Sequence, residues 1–117
     1  MKKTLLVTGL SGFVGQHLQT LFASPGAPAD WQLLQPTPYD LCDRDPAATF
    51  QVNLLGTLNL LESLKGAGFR GAFLYVSSGD VYGQVAEAEL PIVETRLPQP
   101  RNPYGVSKLA AELLCLQ

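Results

Sequence analysis

The sequence predicts an α/β fold in which a doubly wound parallel sheet is covered by helices on both faces. Short apolar runs end at glycine or proline, as buried strands do, and longer segments repeat apolar residues at helical spacing. These two kinds of segment alternate along the 117 residues, which is typical of parallel sheets with helical crossovers. The hydrophobic content of 46% is sufficient for a buried core in one domain.

The first half of this pattern begins with a strand over residues 4–8, which stops at a glycine. Helical spacing then starts at Phe13 and continues until Ser-Pro-Gly at residues 24–26. A second short strand is predicted over residues 31–34, and residues 39–41 read as the end of a third.

The second half opens with a long helical pattern that follows Asp45-Pro46 and closes at the glycines of residues 66–68. Residues 72–77 (Ala-Phe-Leu-Tyr-Val-Ser) form the clearest predicted strand in the chain. Residues 83–102 are rich in proline and predicted as a loop. A last helix is expected over residues 104–116.

A glycine-rich turn joins the first strand to the first helix. Gly9 permits a tight turn, Gly12 lets backbone N–H groups approach a pyrophosphate, and Gly15 leaves room where the helix meets the strand. The helix N-terminus adds partial positive charge and unpaired donors. The turn therefore predicts a dinucleotide site whose residues are Gly9, Ser11, Gly12, Phe13, Val14 and Gly15.

The cofactor's ribose is usually bound by an acidic residue about 20 positions beyond this turn, at the end of the second strand. Residues 35–37 (Gln-Pro-Thr) occupy that region, and none is acidic. A 2′-phosphate is thus not repelled, although no arginine is placed to bind one. The sequence leaves both NADP and NAD open as the cofactor.

A tyrosine and a lysine at the start of the last helix suggest proton transfer. Tyr104 and Lys108 are four residues apart, so both side chains project from one face of the helix. A nearby ammonium favours the phenolate and brings a phenol, whose pKa is ordinarily about 10, closer to neutral pH. By itself, such a pair is also common on helix surfaces.

The strand over residues 72–77 ends in Ser77-Ser78-Gly79. Ligands of open parallel sheets bind at the carboxyl ends of strands, so a serine hydroxyl there can donate to a carbonyl oxygen and position the tyrosine. Alternatively, these residues only turn the chain. The ordered combination of glycine turn, serine-rich strand end and Tyr-x-x-x-Lys is more specific than any single part.

Charge and cysteine content exclude several classes of function. The net charge of −2 gives no attraction to nucleic acid or to a membrane surface. The two cysteines, Cys42 and Cys115, lack the spacing of metal ligands, so no metal site is expected. The N-terminal apolar stretch is too short for a signal sequence or a membrane span, which makes the cytoplasm the expected compartment.

Together these motifs resemble the nucleotide-sugar epimerase/dehydratase branch of the extended short-chain dehydrogenases/reductases, which have a Rossmann fold. Residues 53–61 are similar to the helix that lines the family's active site. Three further stretches, residues 7–15, 77–84 and 101–104, resemble the members that reduce GDP-4-keto-6-deoxy-D-mannose to GDP-D-rhamnose.

The resemblance implies that NAD(P)H reduces the C4 ketone of a GDP-linked sugar while Tyr104 protonates the alkoxide. Lys108 would hold the nicotinamide ribose, and Ser78 matches the catalytic serine or threonine. Asp80 matches an acidic base of related dehydratases, so dehydratase or epimerase chemistry stays open. The implied cofactor contacts also include Asp40 at the adenine ring, Leu41, Asn53, Ser77, Tyr104 and Lys108.

A non-catalytic dinucleotide-binding module, or an inactive fragment, is the alternative of another class. An intact set of Ser78, Tyr104 and Lys108 favours the enzyme, because a module that only binds does not need all three. We expect the enzyme to be a homodimer without a nucleic-acid or membrane partner.

The chain departs from this family in length and in one internal junction. Family members are two to three times longer, so residues 1–117 are expected to form a partial dinucleotide-binding domain without the C-terminal substrate domain. Asp43 runs directly into Arg44, where the family has a helix, a central strand and a turn. We therefore predict either residues omitted at this junction or a truncated, inactive product. A Cα–Cα distance far above roughly 3.8 Å there would indicate omission.

Overall fold

The computed structural model describes residues 2–7, 13–34 and 45–117, in two compact units of residues 1–40 and 41–117. The first unit contains β1 (Lys3–Leu6), α1 (Phe13–Ala23) and β2 (Trp31–Leu34). β1 and β2 pair in parallel, with Leu5 opposite Leu33. Parallel strands require a crossover connection, and α1 lies in it. Both predicted strands and the predicted helix are therefore confirmed, while the predicted strand end at residues 39–41 lies outside the described residues.

The second unit begins with the long helix that the sequence predicts. It consists of α2 (Pro46–Phe50), a π-helical turn (Gln51–Leu55) and α3 (Gly56–Gly66). The Asp45 carboxylate caps it by accepting a hydrogen bond of 2.9 Å from the Ala47 amide. Phe50 and Gly56, at the two ends of the π-helical turn, have right-handed helical dihedrals, so the three pieces form one continuous helical path. Such π-helical turns frequently occur at functional sites.

The last helix, α4 (Pro103–Cys115), supplies three of the five buried residues among the described part of the second unit. Gly105, Ser107 and Ala111 are its buried residues, and all three are small. Small side chains let the helix approach its neighbours closely, and α4 contacts α2, the π-helical turn and α3. It also contacts a 3₁₀ turn, Gly79–Tyr82, whose Val81 is only 3% exposed.

The structure corrects the prediction of a strand over residues 72–77. They form no ladder in the described part of the chain, where the sheet consists of β1 and β2. Their side chains still alternate as in a strand, with Leu74 and Val76 85% and 68% exposed and Tyr75 and Ser77 half-buried. The prediction was wrong because composition sets only a preference, whereas ladder hydrogen bonds require a neighbouring strand. No helix in the described ranges is long and apolar enough to cross a membrane.

Candidate active site

The first turn of α4 is fixed by its N-cap. The Asn102 side chain accepts a hydrogen bond of 2.6 Å from the Gly105 amide, and Pro103 occupies the first helical position. Tyr104 follows in this rigid turn and is half-buried. Its hydroxyl forms no hydrogen bond with the described residues, so the phenol is free to donate to a ligand.

Gly105 brings the serine-rich segment and the tyrosine together. A Cβ atom at this position would lie 2.7 Å from the carbonyl oxygen of Asp80 and 3.1 Å from Cβ of Pro100. Any larger residue would push α4 away from the 3₁₀ turn. The residue after Tyr104 therefore packs directly against the turn that begins after Ser78.

Ser78 caps this 3₁₀ turn. Its Oγ accepts a hydrogen bond of 3.2 Å from the Asp80 amide, which leaves the hydroxyl hydrogen available for donation. The Asp80 side chain is exposed and forms no ion pair within the described residues. The turn that carries this hydroxyl donor and this carboxylate packs through its backbone against the first turn of α4.

The far end of the turn is held by the chain that leads into α4. Gly83 has φ +68°, and a Cβ atom there would overlap the Gln99 carbonyl. The Gln99 amide donates to the Val81 carbonyl at 3.0 Å, and Arg101 donates to Gln84 at 2.6 Å. The two stretches that resemble GDP-sugar reductases are therefore directly bonded to each other.

Lys108 lies one turn after Tyr104, but its ammonium bonds elsewhere. Nζ donates to the Val76 carbonyl at 2.7 Å and lies 4.4 Å from the centroid of the Tyr75 ring. Burial lowers the pKa of Lys108, and Glu112 and Cys115 partly oppose this effect. The sequence identified this lysine but not the residues that hold it.

A hydrogen-bonded chain links the π-helical turn to α4. The Asn53 amide donates to Ser107 Oγ at 3.0 Å, and this hydroxyl donates to the Tyr104 carbonyl at 2.7 Å. Ser107 is fully buried. Asn53, expected beside the cofactor, thus also braces the helix that presents Tyr104. Sequence reasoning missed Ser107, although the small residues on one face of this helix indicate a close packing partner.

Most of the predicted dinucleotide turn lies outside the described residues, and so do Asp40, Leu41 and the Asp43–Arg44 junction. The exceptions are Phe13 and Val14, which are 79% and 62% exposed at the start of α1, and Gly15, which is buried. Burial of Gly15 agrees with a glycine that permits close packing of the helix. The predicted phosphate contacts remain predictions.

Comparison with known proteins shows which family the chain resembles. The family model described as GDP-mannose 4,6 dehydratase matches residues 43–117. GDP-6-deoxy-D-mannose reductase from Pseudomonas aeruginosa is 54% identical over 146 residues, covering 100% of this chain and 47% of the relative. The alignment is 29 positions longer than the 117-residue chain. This excess agrees with the predicted gap inside the chain.

Solved structures show the same fold. RMD from Pseudomonas aeruginosa complexed with NADPH has a TM-score of 0.81 at 53% identity and covers 99% of this chain and 49% of its own. UDP-glucose 4-epimerase from Thermus thermophilus complexed with NAD has a TM-score of 0.68 at 26% identity and covers 97% and 50%. The predicted Rossmann fold and the resemblance to extended short-chain dehydrogenases/reductases are thereby confirmed. The chain spans about half the length of these relatives.

Proposed function

Because the chain belongs to the GDP-mannose 4,6-dehydratase family, we propose that it acts in an NAD(P)H-dependent reductase. The proposed reaction converts the C4 ketone of GDP-4-keto-6-deoxy-D-mannose to the alcohol of GDP-D-rhamnose. The observation that supports it best is that α4 is held against the segment that carries Ser78: Gly105, next to Tyr104, packs against the Asp80 carbonyl, and Lys108 donates to the Val76 carbonyl. The 54% identity to a GDP-6-deoxy-D-mannose reductase favours reduction over the other reactions of the family.

The described residues fit a nicotinamide cofactor. The Ser77 hydroxyl is buried and has no hydrogen-bond partner, so a bound ligand can supply one. Lys108 uses one of its three N–H donors on Val76 and keeps two for ribose hydroxyls. NADPH is the first choice, since the related RMD structure contains it and no acidic residue occurs at positions 35–37 to repel a 2′-phosphate.

The bound cofactor would supply the hydride that reduces the ketone carbon. Tyr104 then donates its phenolic proton to the resulting alkoxide oxygen, so the reaction consumes one hydride and one proton. Ser78 donates its hydroxyl hydrogen to the same oxygen and stabilises the developing negative charge. Lys108 would hold the nicotinamide ribose, and the phenolate left on Tyr104 regains its proton from solvent.

The decisive experiment offers the purified protein GDP-4-keto-6-deoxy-D-mannose and NADPH and follows the absorbance of the reduced nicotinamide. Tyr104→Phe should lower turnover about 10²- to 10⁴-fold, the usual contribution of a general acid, and leave NADPH binding intact. Tyr82→Phe removes the same hydroxyl from the 3₁₀ turn and serves as the matched control. NADPH binding without any oxidation would instead support a dinucleotide-binding module.

A dehydratase or epimerase is the second candidate, because Asp80 packs through its backbone against Tyr104's turn, and its exposed carboxylate has no ion-pair partner among the described residues. Incubation with GDP-mannose and NAD(P)⁺ tests it through formation of the 4-keto product. Asp80→Asn should abolish dehydration but leave ketone reduction within severalfold of the unsubstituted protein. This contrast separates the two reactions.

Assembly and location complete the proposal. We expect a homodimer in the cytoplasm, which sedimentation of the purified protein and fractionation of cells would test. A monomeric active enzyme would contradict the first expectation.

A further inference from the structure

We propose that Tyr75 is a positioning residue for the candidate catalytic lysine, holding the Lys108 ammonium against its ring face. The inference rests on the proposed function only in what it says about catalysis. Its structural basis is that two neighbouring residues hold one ammonium: the Tyr75 ring centroid is 4.4 Å from Nζ, and the Val76 carbonyl oxygen is 2.7 Å from it. A cation over an aromatic face within about 6 Å is attracted by the ring quadrupole.

The segment that carries Tyr75 is arranged for this contact. Along residues 74–77, Leu74 and Val76 are 85% and 68% exposed, whereas Tyr75 and Ser77 are half-buried. Alternation therefore directs the Tyr75 ring toward Lys108 while the Val76 side chain points away and its carbonyl receives the ammonium. The next residues along the chain are the candidate catalytic Ser78 and its turn, so one short segment positions both groups.

The ring stays neutral under working conditions. Burial raises the pKa of Tyr75 to about 12, with further contributions from Cys115, Tyr104 and Glu112. A neutral ring attracts the ammonium through its π face without forming an ion pair that would compete with Tyr104. The Tyr75 hydroxyl is buried and has no partner among the described residues, so the attraction to Lys108 comes from the ring and not from the hydroxyl.

This distinction gives a sharp pair of variants. Tyr75→Phe keeps the ring and removes the hydroxyl, whereas Tyr75→Leu removes the ring and keeps an apolar side chain. Phe73→Leu is the matched control, because it removes an aromatic ring from the same face of the same segment. Phe73 lies instead in a hollow with Leu61, Leu64 and Phe69.

The first measurement reads Lys108 directly and needs no turnover. Protein labelled with ¹³C at lysine Cε gives one signal for each of Lys2, Lys3, Lys65 and Lys108, and Lys108→Arg assigns the last. We expect a ring-current displacement of the Lys108 signal that persists in Tyr75→Phe and Phe73→Leu and disappears in Tyr75→Leu. An undisplaced signal in the unsubstituted protein would overturn the proposal even if Tyr75→Leu failed to fold.

The second measurement follows function. Tyr75→Leu should weaken the kcat/KM for NADPH by about two- to thirtyfold, the range of a cation–π contact, and shift the alkaline limb of its pH profile. The titratable groups that face the Lys108 ammonium are Tyr75, from residues 72–77, and Glu112 and Cys115, from α4. Tyr104 lies near Tyr75. Tyr75→Phe should restore both quantities to within about twofold of the unsubstituted protein.

The two readouts separate failure of this inference from failure of the proposed function. A protein that oxidises no NADPH but shows the ring-dependent Lys108 signal refutes the reductase and supports the positioning role. A protein with Tyr104-dependent turnover and equal kinetics in Tyr75→Leu and Tyr75→Phe refutes the positioning role.

Discussion

Helix α4 and the segment of residues 72–77 contrast within one compact unit. Both were predicted clearly from sequence, yet α4 forms as expected, whereas residues 72–77 pair with no strand among the described residues. The helix satisfies its backbone groups within itself and needs only a cap, which Asn102 supplies. A strand has to borrow its hydrogen bonds from a neighbour. A helix can therefore form where a strand without its neighbour cannot.

The gap predicted at the Asp43–Arg44 junction would account for a missing neighbouring strand. The alignment with the Pseudomonas aeruginosa reductase is 29 positions longer than the chain, and the family model begins its match at residue 43. The sequence predicts the gap at the next junction, Asp43–Arg44. A helix and a central strand fit within that length.

The largest change in structure should come from filling the predicted gap at the Asp43–Arg44 junction. Inserting the relative's unmatched residues between Asp43 and Arg44 should convert residues 72–77 into a paired strand. Amide hydrogen exchange there should slow about tenfold for each 1.4 kcal/mol of stability gained, while the protection pattern along α4 stays similar. If α4 changed and residues 72–77 did not, the explanation of the contrast would be wrong.

Gly83→Ala tests how firmly the 3₁₀ turn is held to the residues that precede α4. The φ of +68° and the overlap of a Cβ atom with the Gln99 carbonyl should cost about 2–3 kcal/mol of unfolding free energy. Gly79→Ala is the matched control, since a Cβ atom there meets nothing within 4 Å. Denaturant unfolding measures both, and equal losses would contradict the specific clash at Gly83.

Ser107→Ala tests the polar link inside the helical core. It removes the acceptor of the Asn53 amide and should cost about 1–3 kcal/mol, because a buried donor is left unpaired. Ser63→Ala removes a hydroxyl that bonds only the exposed Asn59 carbonyl on α3, and should change stability by less than about 0.5 kcal/mol. Thermal unfolding of the pair would decide, and similar midpoints would exclude a structural role for Ser107.

The smallest effect concerns Tyr75 and alkaline pH. Its pKa is about 12 in the folded protein against an ordinary value of 10, so the unfolded chain releases the proton first. This contribution to stability is complete below pH 10 and is lost as pH rises toward 12. The lowered pKa of Lys108 changes stability with pH in the opposite direction. Comparing Tyr75→Phe with the unsubstituted protein cancels this contribution, because both proteins contain Lys108. An identical alkaline decline in both would refute the shift.

The sequence alone predicted the helices, the extended segments of β1 and β2, and Ser78, Tyr104 and Lys108 as candidate site residues. Those features depend on hydrogen bonds a few residues apart and on short motifs, which a linear pattern records. Only the tertiary structure decided that Lys108 is held by Tyr75 and Val76 and that Ser107 links Asn53 to Tyr104. It also decided that residues 72–77 pair with no strand in the part of the chain that the structure describes. Each of these three features depends on groups that are far apart in the sequence. Contacts of this kind depend on how closely the elements pack. Gly105 shows this best, because its lack of a side chain matters only where α4 packs against the turn at Asp80.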